Sequence, residues 1–231
     1  MNKITWNACK ALLSVAAPIQ RIIDHIPGDT HTFINKQAII ILYNDGHKKL
    51  SRYFHNQLGF INEGVVWADK GWKNFSHYFD PYKNKGIWPW PDAKNECNYH
   101  FKRAVHYWQQ GVINKSMFYL GAAVHLVQDM CVPHHARGIP FKGHSRYEKW
   151  VQNHYLKYTV NKCGCYDISN DSVNNWIDNN AKLAWGLYPQ VTGSVSENAY
   201  HQITTITLSQ AQKTTAGFLL FFIKCVTNPS L

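Results

Sequence analysis

His125 and Asp129 stand four residues apart in the segment Asn114–Met130, whose sequence is NKSMFYLGAAVHLVQDM. From Met117 onward this segment is apolar on every side except at His125, Gln128 and Asp129. A helix that is hydrophobic all round is a buried helix, and a spacing of four puts the imidazole and the carboxylate on one face. Burying such groups is costly unless they pair with each other or ligate a metal. Taken alone, the couple reads either way. Six residues on comes His135 in the turn Val–Pro–His–His–Ala, and then His144 and Glu148, again four apart. Five donors of the types zinc favours thus fall within 24 residues, enough to serve two adjacent metal ions. The turn aims one of its two histidines inward, and His135 is preferred over His134. Arg146 and Lys149 are expected on the solvated face, and Tyr147 and Trp150 in packing.

The elements that must position these donors read as helical nearly throughout. Apolar residues recur at helical spacing, or fill every side, over 31–43, 47–59, 95–110, 114–130, 144–158, 171–186 and 198–226. Asn114 is a candidate N-cap for the central segment. Gly111, Pro133, Gly138, Pro140 and Gly143 punctuate the pattern. The longest irregular stretch, about 71–94, is rich in aromatics, and an irregular stretch that long inside a domain is usually functional.

At 231 residues one compact domain is expected. Low charge (16 %), high aromatic content (14 %) and thirteen histidines exclude a disordered chain and justify a search for metal sites. A net charge of +10 suits an anionic polymer or membrane surface. Six cysteines permit disulfides, with Cys163 and Cys165 in a polar loop the foremost candidates for oxidation. The apolar run Ala11–Ala17 is short for a signal core, and Gly217–Ile223 is far below the roughly 20 residues that span a bilayer. Residues 1–29 therefore read as a signal or an extra helix, and 30–231 as the main domain, which the resemblance described next makes catalytic. No transmembrane segment is expected.

The constellation Phe118–Gly121, His125, Asp129, Pro133, His135 and His144–Ser–Arg–Tyr–Glu148 resembles the zinc-dependent phospholipase C family, which includes bacillus-type phospholipases and the catalytic domain of clostridial alpha-toxin. Asn74–Pro81, Ser209–Phe218 and Thr30–His31 with Asn35 and Ala38 extend the likeness from about 30 to 220. The resemblance implies an all-α, single-domain multi-helix bundle with a trinuclear zinc cleft. One Zn2+ would then be bound by Asp69, His77, His125 and Asp129, and a second by His135, His144 and Glu148. The third would take His31 and the far oxygen of a bridging Asp129. Asp69 matches the family's general base; its alternative is a surface residue at a helix C-terminus. Phe75 and Tyr78 are carried over as substrate contacts, while Tyr78, Phe79, Trp88 and Trp90 either wall the cleft, touch the interface or simply pack. The implied reaction is a phospholipase C hydrolysis, in which metal-bound hydroxide cleaves the glycerol-side phosphodiester of a phospholipid at a membrane surface. A monomer, secreted or periplasmic, is expected.

Two departures stand out. The family often completes the third site with an N-terminal tryptophan, but Trp6 lies 25 residues before His31. Trp6, His25 and Asp29 are the substitutes within reach. Lys70 occupies a position where choline-preferring relatives carry tyrosine, which suits an anionic headgroup or bare phosphate unless the lysine is merely solvated. A single-strand-specific zinc nuclease of the same fold is the nearest rival and would make nucleic acid the partner. It generally carries aspartate where this chain has Glu148. A zinc-stapled lipid-binding module without catalysis is the rival of another class.

Overall fold

A computed structural model describes residues 29–167 and 172–227, so readings that rest on Trp6, His25 or the Ala11–Ala17 run lie outside the described residues. Among the described residues eight α-helices follow in order: α1 (Asp29–Asn44), α2 (Lys48–Ala68), α3 (Ala93–Gln109), α4 (Ile113–Asp129), α5 (Pro133–Arg137), α6 (His144–His154), α7 (Val173–Leu187) and α8 (Glu197–Thr227). Among the described residues no strand forms; the one bridge pairs Asp80 with Lys85.

α4 is the axis of the bundle. Every residue from Leu120 to Cys131 is buried, as its all-round apolar sequence requires. It lies against α2 on one side and α3 on the other, with α8 closing the stack and α1 resting on α2 and α8. Glycine makes the α2–α4 contact possible. A Cβ on Gly64 would run into the carbonyl oxygen of Phe118, and one on Gly121 into that of Ile61. The two backbones therefore touch where any side chain would hold them apart.

Some boundaries move. α4 begins at Ile113 with Val112 as its cap, so Asn114 sits inside the first turn. The reversal is made at Gly111, whose φ of 71° suits glycine. α2 runs on past residue 59 to Ala68 and thereby places Asp69 at its C-cap. The irregular stretch holds a 3-10 helix, Gly71–Ser76, and a turn in which Asp80 Oδ1 accepts the N–H groups of Tyr82 and Lys83 at 3.0 and 3.1 Å. Cys163 and Cys165 are both free thiols.

Candidate metal centre

α4 delivers His125 and Asp129 to one end of the bundle, one helical turn apart and both buried. His77, which ends the 3-10 helix, meets them there. Its Nδ1 is 2.9 Å from Asp129 Oδ2, His125 Nε2 is 3.1 Å from the same oxygen, and the two nitrogens are 3.1 Å apart. The other carboxylate oxygen, Oδ1, faces His31 Nε2 of α1 at 3.5 Å. Asp129 therefore turns its two oxygens to two different neighbours. On the far side, His135 Nε2 and His144 Nε2 lie 3.2 and 2.8 Å from Glu148 Oε1, and His135 Nδ1 is 3.7 Å from Asp129 Oδ2.

Three donor groups result: His31, His125 and Asp129; Asp69, His77 and His125; and His135, His144 and Glu148. Within each, one ligand atom per residue lies within 4.8 Å of the others. All eight residues expected as ligands are thus drawn into these groups. Asp29 is not in any of them, although it opens α1 only two residues before His31.

The ring tautomers follow from the outer contacts. His135 Nδ1 donates to the carbonyl of His77 at 2.9 Å, His144 Nδ1 to that of Pro140 at 3.3 Å, and His31 Nδ1 to Gln128 Oε1 at 2.8 Å. His77 uses its remaining nitrogen on the carbonyl of Ala68. With those protons placed outward, the inner nitrogens present lone pairs to carboxylates. Lone pairs facing anionic oxygens at 2.8–3.5 Å repel unless a proton or a cation lies between. His125 Nδ1 and Asp129 Oδ2 are moreover buried without a hydrogen-bond partner. Neutral imidazoles and carboxylates converging in this way fit zinc.

The electrostatics agree. Burial alone would raise Asp129 and Glu148, yet the surrounding imidazoles hold both below the usual carboxylate range. Burial would depress His77 and His144, but Asp129 beside the first and Glu148 beside the second leave them above the ordinary imidazole value. Desolvation pushes His125 down to about 3 and Asp69 up to about 6. Glu148 keeps 46 % of its side chain exposed, so the cluster is open to solvent on that side.

His134 lies buried behind the cluster, stacked on His144 at 5.1 Å. His135 faces the donors. A reciprocal clamp holds it there, since Phe79 N donates to the His135 carbonyl at 3.1 Å. Tyr78 stacks on His135 at 4.7 Å, and its hydroxyl is 3.4 Å from His144 Nδ1. Phe75 stacks on Trp90 at 4.5 Å, Lys70 is exposed at the start of the 3-10 helix, and Phe79 is core rather than cleft wall. Trp88 is 85 % exposed. Arg146 is exposed, as expected, and donates to the carbonyl of Gly193 and the hydroxyl of Tyr200. Sequence reasoning missed Gln128 as a partner of His31; its one signal was an amide in an otherwise apolar helix.

Solved structures of alpha-toxin from Clostridium absonum and Clostridium perfringens share the fold, with TM-scores of 0.77 and 0.75 at 24 % and 22 % identity, each over 86 % of this chain and 64 % of theirs. A phospholipase C of Listeria monocytogenes is 26 % identical over 85 % of this chain and 77 % of its own length. One of Clostridium perfringens is 24 % identical over 86 % of this chain, which spans only 59 % of that relative. The family model described as zinc dependent phospholipase C matches residues 30–188. With the donor groups in place and the greater part of its length matched, the chain belongs to the zinc-dependent phospholipase C family.

Proposed function

We propose that the chain hydrolyses the glycerol-side phosphodiester of phospholipids to diacylglycerol and a phosphorylated headgroup, at a site holding three zinc ions. The observation that carries this reading is Asp129. One of its oxygens faces His77 and His125, the other faces His31, and the His135–His144–Glu148 group begins 3.7 Å away.

Zinc, when bound, supplies an acidified water and a positive sink for the nonbridging phosphoryl oxygens. The chain's own residues do the rest. Asp69, raised by burial to about 6, suits a group that accepts a proton from the attacking water near neutral pH. Tyr78 and the His77 carbonyl fix His135 from two sides and hold the second donor group in register. The exposed Lys70 favours an anionic headgroup or phosphate, and the exposed Trp88 is available to a lipid interface.

No described helix is long and apolar enough to cross a membrane, so contact with lipid is peripheral and transient in this reading. A secreted or periplasmic monomer accords with it. Family membership disfavours both rivals. The test is an assay of the zinc-loaded protein on vesicles of phosphatidylcholine, phosphatidylethanolamine or phosphatidylinositol and on single-stranded DNA. Release of diacylglycerol supports the proposal. Cleavage of DNA alone restores the nuclease, and zinc binding with no turnover restores the binding module.

A further inference from the structure

Gln128 is buried beside Asp129 on the apolar axis helix, where a leucine would pack without any unmet polar group. Its amide is fully used. Nε2 donates to Asn35 Oδ1 at 2.9 Å and to Thr215 Oγ1 at 3.2 Å, and Asn35 Nδ2 in turn donates to Asn62 Oδ1 at 2.9 Å. Asn35 and Thr215 are also buried. Because both amide hydrogens of Gln128 are engaged, Oε1 is the atom left for His31, at 2.8 Å from Nδ1.

We propose that Gln128, oriented by the buried chain through Asn35 to Asn62, is a positioning residue that sets the tautomer of His31 and so determines whether a cation is held between His31 and Asp129; the inference rests on the trinuclear reading of the site. A carbonyl oxygen accepts and never donates, so His31 must carry its proton on Nδ1. Nε2 then presents a lone pair toward Asp129 Oδ1, 3.5 Å away. In the opposite tautomer an N–H would point at that oxygen, satisfy it and occupy the direction a metal ion needs. His31 is the only donor that α1 gives to the three groups among the described residues, and its side chain is partly exposed. The hydrogen bond to Gln128 Oε1 ties down the outer edge of its ring. Outer partners of this kind typically contribute 10–100-fold in metal affinity.

The experiment measures zinc per chain and stepwise zinc affinity for the wild type, Gln128→Leu, Gln128→Glu and Asn62→Ala, with long-range proton–nitrogen spectra of the zinc-loaded His31 ring. Wild type holding three zinc ions, Gln128→Leu weakening one of them about 10- to 100-fold with loss of the His31 Nδ1–H signal, and Gln128→Glu retaining all three, with the Asn35 and Asn62 amides reversed so that Asn35 Nδ2 donates to the new carboxylate, is the expected result. Equal affinity for three zinc ions in wild type and Gln128→Leu overturns the relay alone. A wild type that holds fewer than three overturns the site reading beneath it. Should Gln128→Leu not fold, Asn62→Ala decides, because it unties the partly exposed end of the chain without touching α4. A several-fold weaker third zinc supports the relay, and an unchanged one overturns it.

Discussion

Asp69 and Asp129 close two helices, α2 and α4, that are pressed together at Gly64 and Gly121, so both carboxylates arrive at the same end of the bundle. The negative ends of two helix dipoles arrive with them, and such ends favour cations. The two acids differ in environment. Imidazoles surround Asp129 and keep it ionised, while burial, opposed only in part by His31 and His77, leaves Asp69 holding a proton up to about pH 6. The proposed function makes the first a ligand shared between metal ions and the second the base.

Asp69→Asn is therefore expected to lower turnover about 10²- to 10⁴-fold, the range of a positioned general base. Two of the three donor groups do not contain Asp69, so zinc per chain should fall by no more than one. Metal analysis beside a diacylglycerol-release assay separates loss of a base from loss of the cluster; unchanged turnover removes Asp69 from the chemistry.

His135→Ala should cost the protein the zinc held with His144 and Glu148, whereas His134→Leu should leave zinc content intact. The first ring faces the donors and the second lies behind them, outside all three donor groups. Mass spectrometry of the native, zinc-loaded variants reads the difference directly, and the reverse outcome would reassign the ligand.

Zinc occupancy should fall with acidification. His77 and His144 hold protons above the ordinary imidazole value of about 6.5, and a ligating nitrogen must give its proton up. Lower pH favours the protonated, zinc-free form, so the apparent zinc affinity begins to fall above that value and falls further below it. Equilibrium dialysis at a series of pH values follows this. Chelation at constant pH should likewise lower the melting temperature, because zinc at a thousandfold excess over its dissociation constant contributes about 4 kcal/mol to the folded state.

Gly121→Ala should destabilise the fold by about 1–3 kcal/mol through overpacking, measured as a lower urea midpoint. The added methyl meets the backbone of Ile61, not a flexible side chain. Since α2 and α4 carry Asp69 and Asp129, zinc affinity should weaken together with stability. A variant as stable as wild type would mean that the helices can separate freely.

Trp88→Ser should leave stability within about 0.5 kcal/mol, as substitutions at exposed positions do, yet slow hydrolysis of vesicles more than of a soluble short-chain substrate. Equal effects on both substrates would remove Trp88 from the interface.

Much of this was written in the linear sequence. An apolar helix interrupted by His125 and Asp129 has to be buried, and its polar face must then meet partners; the same spacing at His144 and Glu148 names some of them. These are local facts, fixed by a period of 3.6 residues and the cost of burying charge. Tertiary contact decided the remainder. Residues 60–68 extend α2 beyond the periodic stretch that ends at 59, and packing of Gly64 on Phe118 seats that extension against α4, which brings Asp69 into a donor group instead of leaving it at the surface. His77 sits in an irregular stretch with no periodicity to orient it, and its place beside Asp129 comes from the clamp between residues 77–79 and His135. The choice of His135 over His134, and the engagement of Gln128 with His31, depend on which helix lies opposite. Spacing along a chain determines which side chains share a face; what that face meets is set only when distant segments pack.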